Sequence, residues 1–217
     1  MSLKLVIFDM DGVLVDACDW HKAAFNAALL ELCDYQISEE DHYSTFNGLP
    51  TSIKLQKLAE MGVVKDDPKI HKEINKLKQE KTIEIIEERA EYDMSKANLF
   101  SWLKLKNIKV ACFTNSIRKT AELMLDKAGI LSELDLLVTN QDVKNPKPDP
   151  EGYNKIIKHF NFDPQDVIIV EDSPKGLEAA YATGCAVLKV DNATQVYTEN
   201  VRRFIYESFD SNGRRRK

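Results

Sequence analysis

The chain has 217 residues, 43% of them hydrophobic and 30% charged, and a formal net charge of -5. That is a globular composition, long enough for one domain or for one domain carrying an insertion. The acidic balance argues against a general nucleic-acid binder. No apolar stretch has the length of a membrane span, and none follows a basic start as in a signal peptide. Cys18, Cys33, Cys112 and Cys185 show neither CxxC nor zinc-like spacing, and the four histidines are scattered. The expectation is a cytoplasmic protein with reduced thiols and no histidine metal cluster.

The first expected element is a strand at Leu3–Phe8, which runs into Asp9-Met10-Asp11-Gly12. Its unbroken apolar character reads as a buried parallel strand, and Gly12 lets the chain leave the sheet. Open α/β sheets carry their sites at the carboxyl ends of their strands, so Asp9 and Asp11 fall on that edge. Two acids this close repel each other unless a cation or a shared proton compensates. A divalent metal with carboxylates is the natural reading, one Asp serving as nucleophile and the other as acid and base. The competing reading is a strand that ends in a polar turn, where Asp and Gly are common.

The long stretch that follows contains no convincing strand. Ala23–Cys33 carries an apolar stripe, and Thr51–Met61 repeats Ile53, Leu55, Leu58 and Ala59. Lys69–Glu91, as one helix or a helix pair, places Ile70, Ile74, Leu77, Ile83 and Ile86 at helical spacing. Such a stretch is too long for a simple crossover. It is expected to form a small helical domain over residues 17–88, inserted into a second domain made of 1–16 and 89–217. Its apolar stripes are core and its Lys/Glu runs are solvated faces.

Further strands are expected at Ile108–Thr114, Leu134–Thr139, Asp166–Glu171 and Cys185–Val190, alternating with helices at Ile117–Ala128, Pro150–His159 and Lys175–Ala182. That alternation predicts an α/β fold with a parallel, doubly wound sheet. Thr114-Asn115-Ser116 puts a hydroxyl before the open amides of a helix start, a cradle for phosphate or an oxyanion or an ordinary helix cap. Lys147 stands between Pro146 and Pro148, which stiffen its backbone. A lysine held this way can neutralise a phosphoryl group and a carboxylate together; the plain alternative is a rigid turn with an exposed lysine. Glu171 and Asp172 are adjacent acids at a strand end, costly to desolvate without a cation. With Asp9 they make an oxygen-rich site suited to Mg2+, although one of them could instead complement a helix dipole. The tail Ser211–Lys217, ending in Arg214-Arg215-Arg216-Lys217, lacks apolar residues and reads as frayed.

The motifs DMDGVLVD, FTNS, KPDPEGY and IIVEDSPKG, in this order at four strand ends, resemble the haloacid dehalogenase-like superfamily. The place of the helical insertion is similar to that of its β-phosphoglucomutase-like and phosphoglycolate phosphatase-like branch. The resemblance covers almost the whole chain. It implies a Rossmann-like core with an inserted α-helical cap, and a Mg2+-dependent phosphatase that acts on a small phosphorylated metabolite, a sugar phosphate or similar, through an aspartyl-phosphate. It makes Asp9 the nucleophile. Asp11 would protonate the leaving group and later activate water, with its backbone carbonyl on Mg2+. Thr114 and the Asn115 amide would hold phosphoryl oxygens, and Lys147 would position Asp9 and the phosphate. Asp9, Glu171 and Asp172 would hold Mg2+, the last two directly or through water.

Substrate selection falls to the cap in this resemblance. Asp16 and His21 match positions at the core–cap junction, His21 serving equally well as a helix-packing residue. Asn47–Ser52 matches the cap's specificity loop. The mutase has an arginine there for a second phosphate, whereas this chain has Thr51, with Lys54 one turn later. That departure favours a phosphatase and leaves a phosphosugar mutase as the alternative. Arg118 is either a substrate-anion contact or a solvated helix arginine. Dehalogenases proper need no metal and lack the second Asp, and a non-enzymatic protein on the same fold would be expected to lose a catalytic group, of which none is missing. The expected partners are the metabolite and Mg2+, without nucleic acid or membrane, in a monomer or weak dimer.

Overall fold

The structure is a computed structural model, and it describes residues 3–47, 49–209 and 215–216. The chain divides into two compact units, one made of the residues up to Asp16 and from Glu91 onward, the other of Ala17–Ala90. The first unit is built on five parallel strands, β1 (Leu5–Phe8), β2 (Lys109–Phe113), β3 (Leu136–Val138), β4 (Val167–Glu171) and β5 (Ala186–Lys189), in the order β3-β2-β1-β4-β5. β1 lies at the centre with all four of its residues buried. That explains its unbroken apolar sequence, since a central parallel strand is covered on both faces. Leu5 and Ile7 join one core cluster with Phe113, Val138, Tyr153, Ile156 and Ile169. Phe8 points the other way, its ring 5.3 Å from that of Phe100, as the two-residue period of a strand requires. The strands are shorter than the apolar runs suggest. β2 ends at Phe113 and β3 at Val138, so Thr114 and Thr139 leave the ladder and become loop residues at the sheet edge.

The second unit is helical: α1 (Cys18–Cys33), α2 (Glu39–Asp41) continuing into a π turn at His42–Phe46, α3 (Thr51–Glu60) and α4 (Pro68–Arg89). α4 is one continuous helix, begun by Pro68 in the first turn and by the Asp67 carboxylate accepting from the Lys69 N–H. It ends at Arg89, two residues before the end of the periodic stretch. Phe25, Ala28 and Leu29 of α1, Leu55 and Leu58 of α3 and Ile74 of α4 share one buried cluster with Ile37, Phe46 and Val64. The stripe on α3 is narrower than expected, because Ile53 is exposed. Truncating Leu29 to Ala would cost about 2–5 kcal/mol through the cavity left behind. Asn26 ties α1 to the following loop, giving its amide N–H to the Ile37 carbonyl and accepting the Ile37 N–H, both at 3.0 Å.

The strands of the first unit are joined by α5 (Met94–Leu105), α6 (Arg118–Lys127), α7 (Glu151–Phe160) and α8 (Pro174–Ala182), and α9 (Thr198–Ser208) follows β5. α5 and α9 escape a reading by periodicity for different reasons. α5 continues the helical stretch of the cap in sequence, and α9 buries only Val201 and Ile205 on a strongly charged helix. Of the basic tail, Arg215 and Arg216 are described and the rest lies outside the described residues. Arg215 is docked rather than frayed, its guanidinium donating to the carbonyls of Gly184 at 2.6 Å and Cys185 at 3.2 Å. No helix among the described residues is long and apolar enough to cross a membrane.

Candidate active site

The register of β1 with its neighbours assembles the site. Phe8 pairs with Cys112 of β2 and Val170 of β4. The next residues on each strand, Asp9, Phe113 and Glu171, therefore come out side by side at the carboxyl edge, and the Asp9 N–H continues the ladder to the Val170 carbonyl at 3.0 Å. Between β1 and β4 the strand order reverses direction, which is where open α/β sheets open a crevice. The chain then turns tightly. The Met10 carbonyl accepts the N–H groups of Val13, Leu14 and Val15, and Gly12 takes a φ of 91° that only glycine adopts readily.

Lys147 is the hub. It is buried, and its Nζ donates to Asp9 Oδ1 at 2.5 Å and to Glu171 Oε1 at 2.6 Å. The same ammonium lies over the rings of Phe113 and Tyr153, 4.9 and 5.0 Å from their centroids, an arrangement that offsets part of its desolvation. Asn115 fixes the lysine's backbone, its side-chain oxygen accepting the Lys147 N–H and its amide donating to the Lys147 carbonyl. The stiff turn expected from the flanking prolines thus presents a buried lysine, not an exposed one.

Glu171 is fully buried and surrounded by donors. Oε1 accepts from Lys147 and from the Tyr153 hydroxyl at 2.8 Å, while Oε2 accepts from the N–H groups of Asp172 and Ser173 and from the Ser173 hydroxyl. Gly176 makes this possible, since a Cβ there would overlap the Glu171 carboxylate. Asp172 is the contrast: its Oδ1 is buried with no hydrogen-bond partner. Oxygens of Asp9, Glu171 and Asp172 lie within 4.8 Å of one another.

Three clustered carboxylates against one lysine leave surplus negative charge. Burial, and then the charge of Glu171, push the Asp9 carboxyl well above the usual carboxylate range against the pull of Lys147. The same two causes push Asp172 up to about 7. Burial alone would lower Lys147, but the charges of Asp9 and Glu171 outweigh it and hold the ammonium protonated, its pKa raised.

Asp11 stands on the other side of this edge. Its Oδ2 accepts from the hydroxyls of Thr114 at 3.2 Å and Ser116 at 2.9 Å. The geometry brings together a carboxylate beside an ammonium, a second carboxylate on hydroxyl donors, and a third with an unsatisfied oxygen. That set can attack an electrophile, move a proton and hold a hard cation.

A family model described as haloacid dehalogenase-like hydrolase matches residues 6–190. The chain belongs to that family. A phosphorylated carbohydrates phosphatase of Thermotoga maritima is 30% identical over 183 residues, covering 84% of this chain and 82% of that protein. A phosphoglycolate phosphatase of Nitrosospira multiformis is 26% identical over 210 residues, covering 95% and 89%. The crystal structure of a β-phosphoglucomutase from Clostridium difficile shares the fold, with a TM-score of 0.78 at 23% identity over 93% of this chain and 96% of that one.

Within this haloacid dehalogenase-like framework the remaining expected residues fall in different places. Arg118 starts α6, but its guanidinium is engaged by Asp142 at 2.6 Å and Glu122 at 3.2 Å. Two carboxylates already compensate it. Lys54 is buried within the helical unit, its ammonium 5.6 Å from the Phe25 ring centroid. Thr51 opens α3 behind Pro50; Gly48 of the same turn lies outside the described residues. His21, on α1, meets Lys78 of α4, Nδ1 to Nζ 3.3 Å, and Lys78 is buried. Lys78, Ser116 and Tyr153 were not singled out from the sequence. Lys78 is one lysine in a charged helix, and Tyr153 and Ser116 sit inside motifs whose other members carry stronger chemical signals.

Proposed function

We propose that this chain is a Mg2+-dependent phosphomonoester hydrolase that acts on a small phosphorylated metabolite through an aspartyl-phosphate on Asp9. The observation that carries the reading is the buried Lys147 ammonium shared between Asp9 and Glu171. It leaves Asp9 desolvated, oriented and next to a cation that compensates incoming phosphoryl charge. With Oδ1 held by Lys147, Oδ2 of Asp9 is the attacking oxygen. As the bond from Oδ2 to phosphorus forms, the bond to the leaving oxygen breaks, and that oxygen takes the proton of Asp11. The Asp11 carboxylate then removes a proton from water as the water attacks phosphorus and the Asp9–phosphorus bond breaks. Acid–base help of this kind is worth about 10²–10⁴-fold. The Thr114 hydroxyl and the Asn115 backbone N–H suit the phosphoryl oxygens, since the Asn115 side chain is already committed to Lys147.

A divalent cation fits the acids present. The partnerless buried Asp172 oxygen and the raised carboxyls of Asp9 and Asp172 are what three acids show when their compensating charge is missing. Asp9, Asp172 and the Asp11 carbonyl would hold Mg2+ directly, and the donor-saturated Glu171 would act through water and by fixing Lys147. When bound, Mg2+ supplies charge neutralisation for the phosphoryl group.

The relatives named for phosphorylated carbohydrates and phosphoglycolate support a small anionic substrate. Hydrolysis is favoured over a mutase because Thr51 carries no charge for a second phosphate. The test is release of phosphate from a panel of phosphorylated metabolites, with Mg2+ and with EDTA. Turnover of some members, lost with EDTA and in Asp9→Asn, is expected; a panel without turnover, or turnover indifferent to EDTA, overturns the reading.

A further inference from the structure

Asp11 Oδ2 has two hydroxyl donors, Thr114 and Ser116, and they are not equivalent. Each hydroxyl has one proton to give. In the reading above, the Thr114 hydroxyl turns to a phosphoryl oxygen when substrate binds, while the Ser116 hydroxyl stays on Asp11. We propose that Ser116 is the positioning residue that keeps Asp11 aimed through turnover; this rests on Asp11 being the acid and base.

Three observations support it. The Ser116 bond is the shorter of the two, 2.9 Å against 3.2 Å. Its backbone is pinned on both sides, the Ser116 N–H donating to Thr114 Oγ1 and the Ser116 carbonyl accepting the Asn140 N–H. The ordinary task of a serine at this place is to cap a helix, yet α6 has Ile117 at its cap position and no side-chain cap bond. The hydroxyl donates to Asp11 instead.

The consequence is directional. An Oδ2 that accepts the Ser116 proton leaves Oδ1 to carry the acid proton. That proton moves from Oδ1 to the leaving oxygen while the phosphorus–oxygen bond breaks and the Asp9–phosphorus bond forms. Without Ser116 the carboxyl can rotate, and its proton is presented to the leaving group for only part of the time.

Leaving groups separate this from a structural role. An aryl oxygen such as p-nitrophenolate departs without a proton, whereas an alkyl oxygen needs one. kcat/KM reports the half-reaction that expels the leaving group, so the measurement is kcat/KM for p-nitrophenyl phosphate and for the best alkyl phosphate, in wild type, Ser116→Ala, Ser116→Thr and Asp11→Asn. The ratio of the two substrates within one variant is independent of how much of that variant is folded. Ser116→Ala should lower the alkyl value at least about 10-fold and the aryl value far less, and Ser116→Thr should restore the ratio. A loss equal for both esters, or no loss, overturns the proposal, the first result marking Ser116 as a binding or folding residue. If Asp11→Asn itself shows no alkyl bias, the acid–base reading fails and the proposal with it. A bias in Asp11→Asn without one in Ser116→Ala rejects the proposal alone.

Discussion

In the strand-built unit the buried acids Asp9 and Glu171 gather around Lys147 from the ends of separate strands, while buried Lys96 donates to the Ala193 carbonyl. In the helical unit the buried polar groups are His42, Lys54, Lys78 and Thr82, and His42 Nε2 is buried with no hydrogen-bond partner. Thr82 donates to the Lys78 carbonyl one turn back, Lys78 meets His21, and Lys54 lies over Phe25. Parallel strands bring distant residues to one edge, so charge accumulates there until it needs an outside cation. Helices spread their polar groups around an axis, so charge does not gather at one edge. The first arrangement is suited to chemistry and the second to packing.

The hub is the sharpest place to break this contrast. Lys147→Met should abolish phosphate release and lower stability by about 3–5 kcal/mol, because Asp9 and Glu171 lose their buried counter-charge. Adding Asp9→Asn should recover part of that stability. Urea unfolding of the single and double variants checks both, and a fully stable Lys147→Met would mean that the acids are not charged together. In the helical unit Lys54→Met should cost far less, since a methionine keeps the contact with the Phe25 ring.

Asp9→Asn alone should reduce turnover at least about 10³-fold and leave no hydroxylamine-labile phosphate on the protein. It should not lower the Tm, since it removes a carboxylate whose ionisation is disfavoured by burial. A variant that keeps most of its turnover would move the nucleophile elsewhere.

Metal and pH act with opposite signs on the two units. Asp172 is raised from 3.8 to about 7, so its contribution is complete below about 4 and is lost as the pH rises through 7. His42 is lowered from 6.5 to about 4, by burial first and then by Lys54 and Lys22. Its contribution is present above 6.5 and lost as the pH falls towards 4. Amide exchange should therefore show β1 and β4 loosening as the pH rises from 4 to 7, and α1 and α4 loosening as it falls from 6.5 to 4. Mg2+ at 100 times its Kd should add about 2.7 kcal/mol, and that increment should shrink below pH 7 as Asp172 takes up a proton. Asp172→Asn and His42→Phe should each flatten only its own unit's slope; a shared response would reject the division.

The smallest effect belongs to Thr51. Thr51→Arg should change the ranking of kcat/KM among phosphorylated metabolites, favouring those with a second phosphate, while p-nitrophenyl phosphate hydrolysis changes less than about 3-fold. An unchanged ranking would move selectivity to other groups, among which the His21–Lys78 pair is the first to test.

Much of the fold was legible because its signals are local. Unbroken apolar runs mark strands covered on both faces, and acids, a hydroxyl and a proline-flanked lysine at their ends mark the edge where a parallel sheet places its chemistry. α9 was not legible, because a helix that buries two side chains leaves almost no periodic signal. Nor was the docking of Arg215, which depends on carbonyls some thirty residues away.

The sequence by itself determined which residue types stand at each strand end, and so the class of chemistry. Only the tertiary structure decided their partnerships. Lys147 and Asp9 are 138 residues apart, and no periodicity predicts that one ammonium serves both Asp9 and Glu171. It was likewise the tertiary structure that saturated Glu171 through Tyr153 and Ser173, left Asp172 with a bare oxygen, turned Ser116 from a helix cap into a hold on Asp11, and withdrew Arg118 to Asp142. Strand register and side-chain direction set these distances, and a hydrogen bond made at 3 Å is lost within a further ångström. Such choices are made by packing, after composition and pattern have done their part.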